Sequence, residues 1–231
     1  MRKHLIRYIA RCALLAGVAA GTTSCADLFD MPEAVVPTTM TLETHEVTLM
    51  VGDSCVVHPI FNPDTVTNEV IFWMSLNPDV AAFVSADTLV GMSVGETGAV
   101  AISVTDRSQI DTCAVNVIDH WALPEEDFPH ETIVYANVLI HGAPPADGDV
   151  IAAFVGGEVR GIGQMFEMRG HSVMRIRIAG DFVEPDEMEQ QSVAFRVYSR
   201  SRHQLETFPQ WIYFDGETHG TPSQPLLLQI P

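Results

Sequence analysis

From Met40 to the end of the chain, apolar and polar residues alternate with period two, in runs interrupted by Gly, Pro, Asn and Asp. Turn signals such as Val51-Gly52-Asp53, Asn62-Pro63-Asp64 and Asn77-Pro78-Asp79 recur about every 8 to 12 residues. Successive side chains of a strand point to opposite faces, so this pattern fits strands with one buried face and not amphipathic helices. The expected fold class is all-β, with two consecutive antiparallel β-sandwich domains. The first, residues 40–119, contains the predicted runs 46–50, 54–61, 69–75, 80–85, 88–94, 98–105 and 111–118. Alternation over 98–105 separates Ala99, Ala101 and Ser103 from Val100, Ile102 and Val104, and the larger set is expected inward. Residues 120–131, with Pro124, Glu125, Glu126, Asp127 and Pro129, read as a linker. The second domain, 132–231, contains the predicted runs 132–140, 150–155, 158–165, 172–178, 192–198, 210–214 and 225–230. Gly156-Gly157 between two of these runs predicts a tight hairpin with positive φ.

The first 24 residues have a different character. Arg2, Lys3, Arg7 and Arg11 precede an apolar stretch from Cys12 to Ala20 and the small residues Gly21 to Ser24. This is the layout of a secretory signal, too short in its apolar part to span a bilayer. A small residue directly before Cys25 resembles the lipobox of bacterial lipoproteins, with Thr22 where that family carries an aliphatic residue. The resemblance implies that Cys25 is lipidated and that the chain is held on a membrane by its acyl groups. Residues 25–39 carry Asp27, Asp30, Glu33, Pro32 and Pro37 and read as an extended tether. Acidic residues just after the lipid cysteine resemble the export signal of Bacteroidota surface lipoproteins. The implied location is the outer membrane or cell surface. No later segment reaches the roughly 18 apolar residues of a membrane-spanning helix.

The first domain resembles the group 2 bacterial immunoglobulin-like (BIG2-like) family. The residues that carry the likeness are Val51 to Ser54, Phe72-Trp73-Met74-Ser75-Leu76-Asn77, Asp79-Val80-Ala81 and Val94 to Ile102. The family implies an immunoglobulin-like sandwich serving as a spacer or adhesin module, and it brings no catalytic residues. The stretch Asp147 to Gly161 resembles a β-rich module at the ends of Bacteroidota surface lipoproteins, which implies context and no chemistry.

Charge narrows the partners. The chain has 12 Lys+Arg against 30 Asp+Glu, a net charge of −18, and removing the leader lowers it to −22. Such a surface repels phosphate backbones, so nucleic acid is not an expected partner. Past the leader and Cys25, Cys55 and Cys113 remain, either as two buried free thiols or as a bridge. Strict up-and-down strand alternation would place them near opposite ends of the sandwich, ~20 Å apart, which favours free thiols. The nine histidines show no metal-ligand spacing. The acids of Asp147-Gly148-Asp149 and of 181–189 match no calcium loop. Gly91-Met92-Ser93-Val94-Gly95 has the letters of a nucleophile elbow without the strand-turn-helix context. Gly161-Ile162-Gly163 lacks the rest of a phosphate loop. Arg175, Arg177, Arg196, Arg200 and Arg202 cluster in the second domain and are expected in cross-strand ion pairs.

One feature suggests binding. Trp211 and Tyr213 alternate with Ile212 and Phe214, so the first two share a face and form a possible ligand platform. The expected function is therefore non-catalytic. A lipid-anchored envelope protein would present sandwich modules to an extracellular protein or glycan, or serve as a structural component of a surface complex. No catalytic residue, metal or cofactor is expected.

Overall fold

The computed structural model describes residues 37–66, 69–181 and 191–231. Strands dominate it and no α-helix occurs among the described residues. Among the described residues the first block holds nine strands: β1 Thr39–Leu42, β2 Glu46–Met50, β3 Ser54–Val56, β4 Pro59–Asn62, β5 Ile71–Ser75, β6 Ala81–Phe83, β7 Thr88–Gly91, β8 Gly95–Ser103 and β9 Ile110–Ile118. A four-stranded sheet in the order β2-β9-β8-β5 and a three-stranded sheet β3-β7-β6 enclose the core, and β1 and β4 form a short ribbon. The all-β expectation holds, with one departure from antiparallel pairing: β2 runs parallel to β9, Glu46 beside Ala114 through Met50 beside Ile118.

Two further departures have local causes. The run expected over 54–61 divides at Pro59, which has no N–H to continue a ladder; β3 pairs with β7 while β4 turns to β1. β1 itself lies at the border of the expected tether. Burial would raise the Asp111 pKa, but the N–H groups of Leu42 and Thr112 and the His45 ring hold it below the usual carboxylate value, which ties β1 to β9.

The expected facing of 98–105 is reversed. Ala99 and Ala101 are fully buried in the core, whereas of the set expected inward Val100 is buried but outside that core and Val104 is half exposed on the outer face. The cause is Trp73. It stands opposite Ala101, packs toward the core and meets Phe83 with ring centroids 5.4 Å apart. An indole already fills that layer, so the neighbouring inward positions on β8 must be small.

The second block holds β10 His130–Ile140, β11 Val150–Val155, β12 Glu158–Met168, β13 His171–Gly180, β14 Ser192–Ser199, β15 Gln204–Tyr213, β16 Thr218–His219 and β17 Leu226–Ile230. They make one eight-stranded sheet, β15-β14-β11-β12-β13-β10-β16, with β17 also on β10. The sheet folds over at β12, whose first half pairs with β11 and whose second half pairs with β13. Side chains from both halves fill a common core that includes Val134, Ile151, Ile176 and Phe195. At the fold, a Cβ on Gly161 would lie 2.6 Å from the Arg177 carbonyl oxygen, and one on Gly163 would lie 2.5 Å from the Met174 sulfur. These glycines let one strand cross closely over another. β16 and β17 run parallel to β10, again unlike the antiparallel expectation. β15 starts six residues before the expected run, because a register irregularity opposite Ala194–Arg196 accommodates Pro209 on this edge strand.

Candidate functional site

Trp211 and Tyr213 stand near the end of β15, which among the described residues pairs only with β14. The alternation places them as expected: Trp211 is 56% and Tyr213 44% exposed, while Ile212 packs against the core and Phe214 is buried within it. Their rings meet edge to face, with centroids 5.0 Å apart and planes at 86°. Perpendicular rings make an angled corner instead of a flat floor, so a planar ligand could stack on one ring at a time. Cys25, the other predicted site residue, lies outside the described residues.

The arginines divide between ion pairs and aromatic stacking. Arg177 pairs with Glu131 across β10 and β13, Arg200 with Asp53 at 3.1 Å, and Arg202 with Glu206 at 3.4 Å. The Glu131 carboxylate, as hydrogen-bond acceptor and as charge, raises the Arg177 pKa. Arg175 and Arg196 lie over the rings of Phe166 and Phe154, 4.7 and 4.6 Å from the centroids. Cation–π contact thus accounts for two positions where only ion pairs were expected.

The segment from Asp119 to Pro129 borders two open clefts of about 820 and 550 Å³. Trp121 meets Phe154 edge to face at 5.3 Å, and Arg160 covers Phe128 at 4.0 Å. The predicted linker is therefore packed onto the second block. Nothing in its local sequence marks Trp121 or Phe128 as anchors, because their partners, Phe154 and Arg160, come from distant strands.

The two blocks meet through a polar cluster that sequence reading missed. Tyr198, fully buried, accepts a hydrogen bond from Met50 N–H at 3.3 Å and donates one to Asp53 Oδ2 at 3.0 Å. Arg200 Nε donates to the same Asp53 oxygen, and Thr48 N–H donates to His203 O at 2.7 Å. Burial, with the Asp53 carboxylate adding to it, pushes the Tyr198 pKa up to about 12. Burial also lowers the His203 pKa, against the opposing charge of Asp53. Asp53 reads as a turn residue and Tyr198 as the end of a strand; only the tertiary contact joins them.

The remaining candidates have structural employment. Cys55 and Cys113 are buried free thiols of one core, each pushed by burial to about 11. The geometric premise for keeping them apart does not hold as stated, since the strands do not simply alternate in direction. Ser93 Oγ donates to the Asp79 carbonyl at 2.7 Å. Asp149 accepts from the N–H groups of Ala146 and Arg200, which closes a turn. The acids at 182–189 lie outside the described residues. Among the described residues no group of three or more His, Cys, Asp or Glu could hold a metal ion.

The fold defines an all-β protein built of β-sandwich modules. No family model matches the chain, and no curated protein does. Among solved structures, it is similar to surface layer protein SbsC, domains 4–9, at 13% identity and a TM-score of 0.30. That match covers 84% of this chain and 32% of the other, so the chain spans about a third of that structure's length. Domains 5–6 of the S-layer protein SbsC match at 13% and 0.30, covering 77% and 97%. The fibronectin(III)-like modules of Clostridium thermocellum CbhA match at 12% and 0.26, covering 78% and 95%.

Proposed function

We propose that the chain is a non-catalytic, lipid-anchored cell-envelope protein whose β-sandwich modules present a binding surface to an extracellular partner. The observation that carries this reading is the direct coupling of the two blocks through Tyr198, Asp53, Arg200 and the Thr48–His203 hydrogen bond. Buried, satisfied hydrogen bonds of this kind favour one arrangement of the two modules over others, which suits a module that holds a surface away from an anchor. The leader ending at Cys25 and the acidic tether support the placement, and the BIG2-like residues of the first block support the spacer role. Incorporation of radiolabelled palmitate into the chain, lost in Cys25→Ala, is the expected result. A chain that takes up no label and is recovered wholly in the soluble fraction would overturn it.

A glycan-capturing accessory role is a second reading, favoured by the exposure of Trp211 and Tyr213. It requires sugar binding on a glycan array that falls at least about tenfold, roughly 1.4 kcal/mol, in Trp211→Ala. Co-purification with a stoichiometric envelope protein, unchanged by Trp211→Ala, would instead favour a structural role in a surface complex.

A further inference from the structure

The sheet β2-β9-β8-β5 has two edges, and the fold treats them differently. At β2 the outward backbone is capped by the second block, through Thr48 N–H to His203 O and Met50 N–H to the Tyr198 hydroxyl. At β5 no strand follows among the described residues. Pairing with β8 uses the even-numbered positions: Leu76 N–H donates to Gly98 O, and Val70 O accepts from Val104 N–H, both at 2.9 Å. Backbone groups alternate sides in an antiparallel ladder, so those of Ile71, Trp73 and Ser75 point to the open edge. Proteins ordinarily guard such an edge with Lys, Pro, a bulge or an inward charge. Val70 to Leu76 has none of these.

The side chains beside this edge are equally unguarded. Val70, Phe72, Met74 and Leu76 are exposed on the outer face, joined by Val104 and Ile110 from the neighbouring strands. None is charged, in a chain of net charge −18. With about 150–200 Å² for a fully exposed residue of this size, half exposure of these six leaves roughly 500–600 Å² of apolar surface. That lies at the upper end of what a monomer presents. With the backbone edge and its flanks added, it approaches the roughly 800 Å² per partner of a stable interface.

We propose that a second copy of the chain docks here, with β5 pairing antiparallel to its own counterpart about a two-fold axis at Trp73. The edge is its own complement. A register centred on Trp73 sets Ile71 against Ser75 of the second copy and Trp73 against itself, three pairs with two backbone hydrogen bonds each. Phe72 then stands opposite Met74 of the second copy in the closer, non-hydrogen-bonded positions, where thioether and ring attract. The contact brings no acid against acid, which is how so negative a chain can self-associate.

Sedimentation of the full chain in detergent, with circular dichroism of each variant, tests this. The wild type is expected to dimerise, and Met74→Lys, at an already exposed position, to weaken the dimer at least about tenfold with an unchanged spectrum. Under mild oxidation, Phe72→Cys/Met74→Cys is expected to yield a dimer linked between positions 72 and 74, which Phe72→Cys alone does not. A wild-type chain that stays monomeric up to about 0.1 mM overturns the proposal. So does a dimer that Met74→Lys leaves intact, or a double-cysteine variant with no 72–74 link.

Discussion

Replacing Tyr198 by phenylalanine removes one oxygen from the centre of the contact between the blocks and leaves the ring in place. That oxygen accepts from Met50 N–H and donates to Asp53. Met50 is 2% exposed, so its N–H would have no solvent to turn to. An orphaned buried donor costs about 1–3 kcal/mol. The carboxylate is less affected, because Arg200 still donates to it at 3.1 Å, and a half-exposed pair of that kind contributes about 0–1 kcal/mol. The net loss expected for Tyr198→Phe is therefore about 2 kcal/mol. For a folded unit of this size that corresponds to a fall in Tm of roughly 4–8 °C. Thermal unfolding followed by circular dichroism reads the total. Hydrogen exchange at the Met50 amide locates it, since that amide should lose protection first. A Tm within about 1 °C of wild type, with the Met50 amide still protected, would show that the hydroxyl does not join the blocks.

Acid should loosen the same contact. His203 is held neutral by burial, so the unfolded chain binds the proton first, and stability present above the unfolded pKa of about 6.5 is lost as pH falls through it. Denaturant midpoints from pH 7.5 to 5 should fall less steeply in His203→Gln than in wild type; equal slopes refute the assignment. Alkali acts through the thiols. Cys55 and Cys113 sit at about 11 in the folded chain, so only the unfolded chain ionises near pH 9, and stability falls as pH rises from there. In reductant, Cys113→Ala should flatten that decline, and Ellman's reagent should reach both thiols only after unfolding. At the bend in β12, Gly161→Ala places a methyl against the Arg177 carbonyl and should cost about 1–3 kcal/mol in urea unfolding. A midpoint equal to wild type would mean the strands can separate there without penalty.

Local pattern was enough for much of the second block. Gly156 and Gly157 do take positive φ, 61° and 88°, in the turn between β11 and β12, because a two-residue hairpin demands it wherever the strands lie. Trp211, Ile212, Tyr213 and Phe214 face as alternation requires. Alternation divides residues into two sets without saying which set is inside, and on β8 size pointed the wrong way. Ala99 and Ala101 go inward because Trp73, 28 residues before Ala101, occupies the adjoining space. Strand direction was beyond reach for a similar reason. The parallel pairing of β2 with β9 joins residues 68 apart, as Glu46 with Ala114.

What the sequence determined by itself is the class of structure and part of its punctuation: strands of period two, the hairpin at Gly156-Gly157, and a core rich in β-branched residues. These depend on backbone sterics and on burial of one strand face, which act over a few residues. Only the tertiary structure decided which face of β8 is buried, that β12 serves two halves of one sheet, and that Tyr198 spends its hydroxyl on Met50 and Asp53. Those outcomes turn on volume and on unpaired hydrogen-bonding groups between segments distant along the chain. Such quantities exist only once the segments meet.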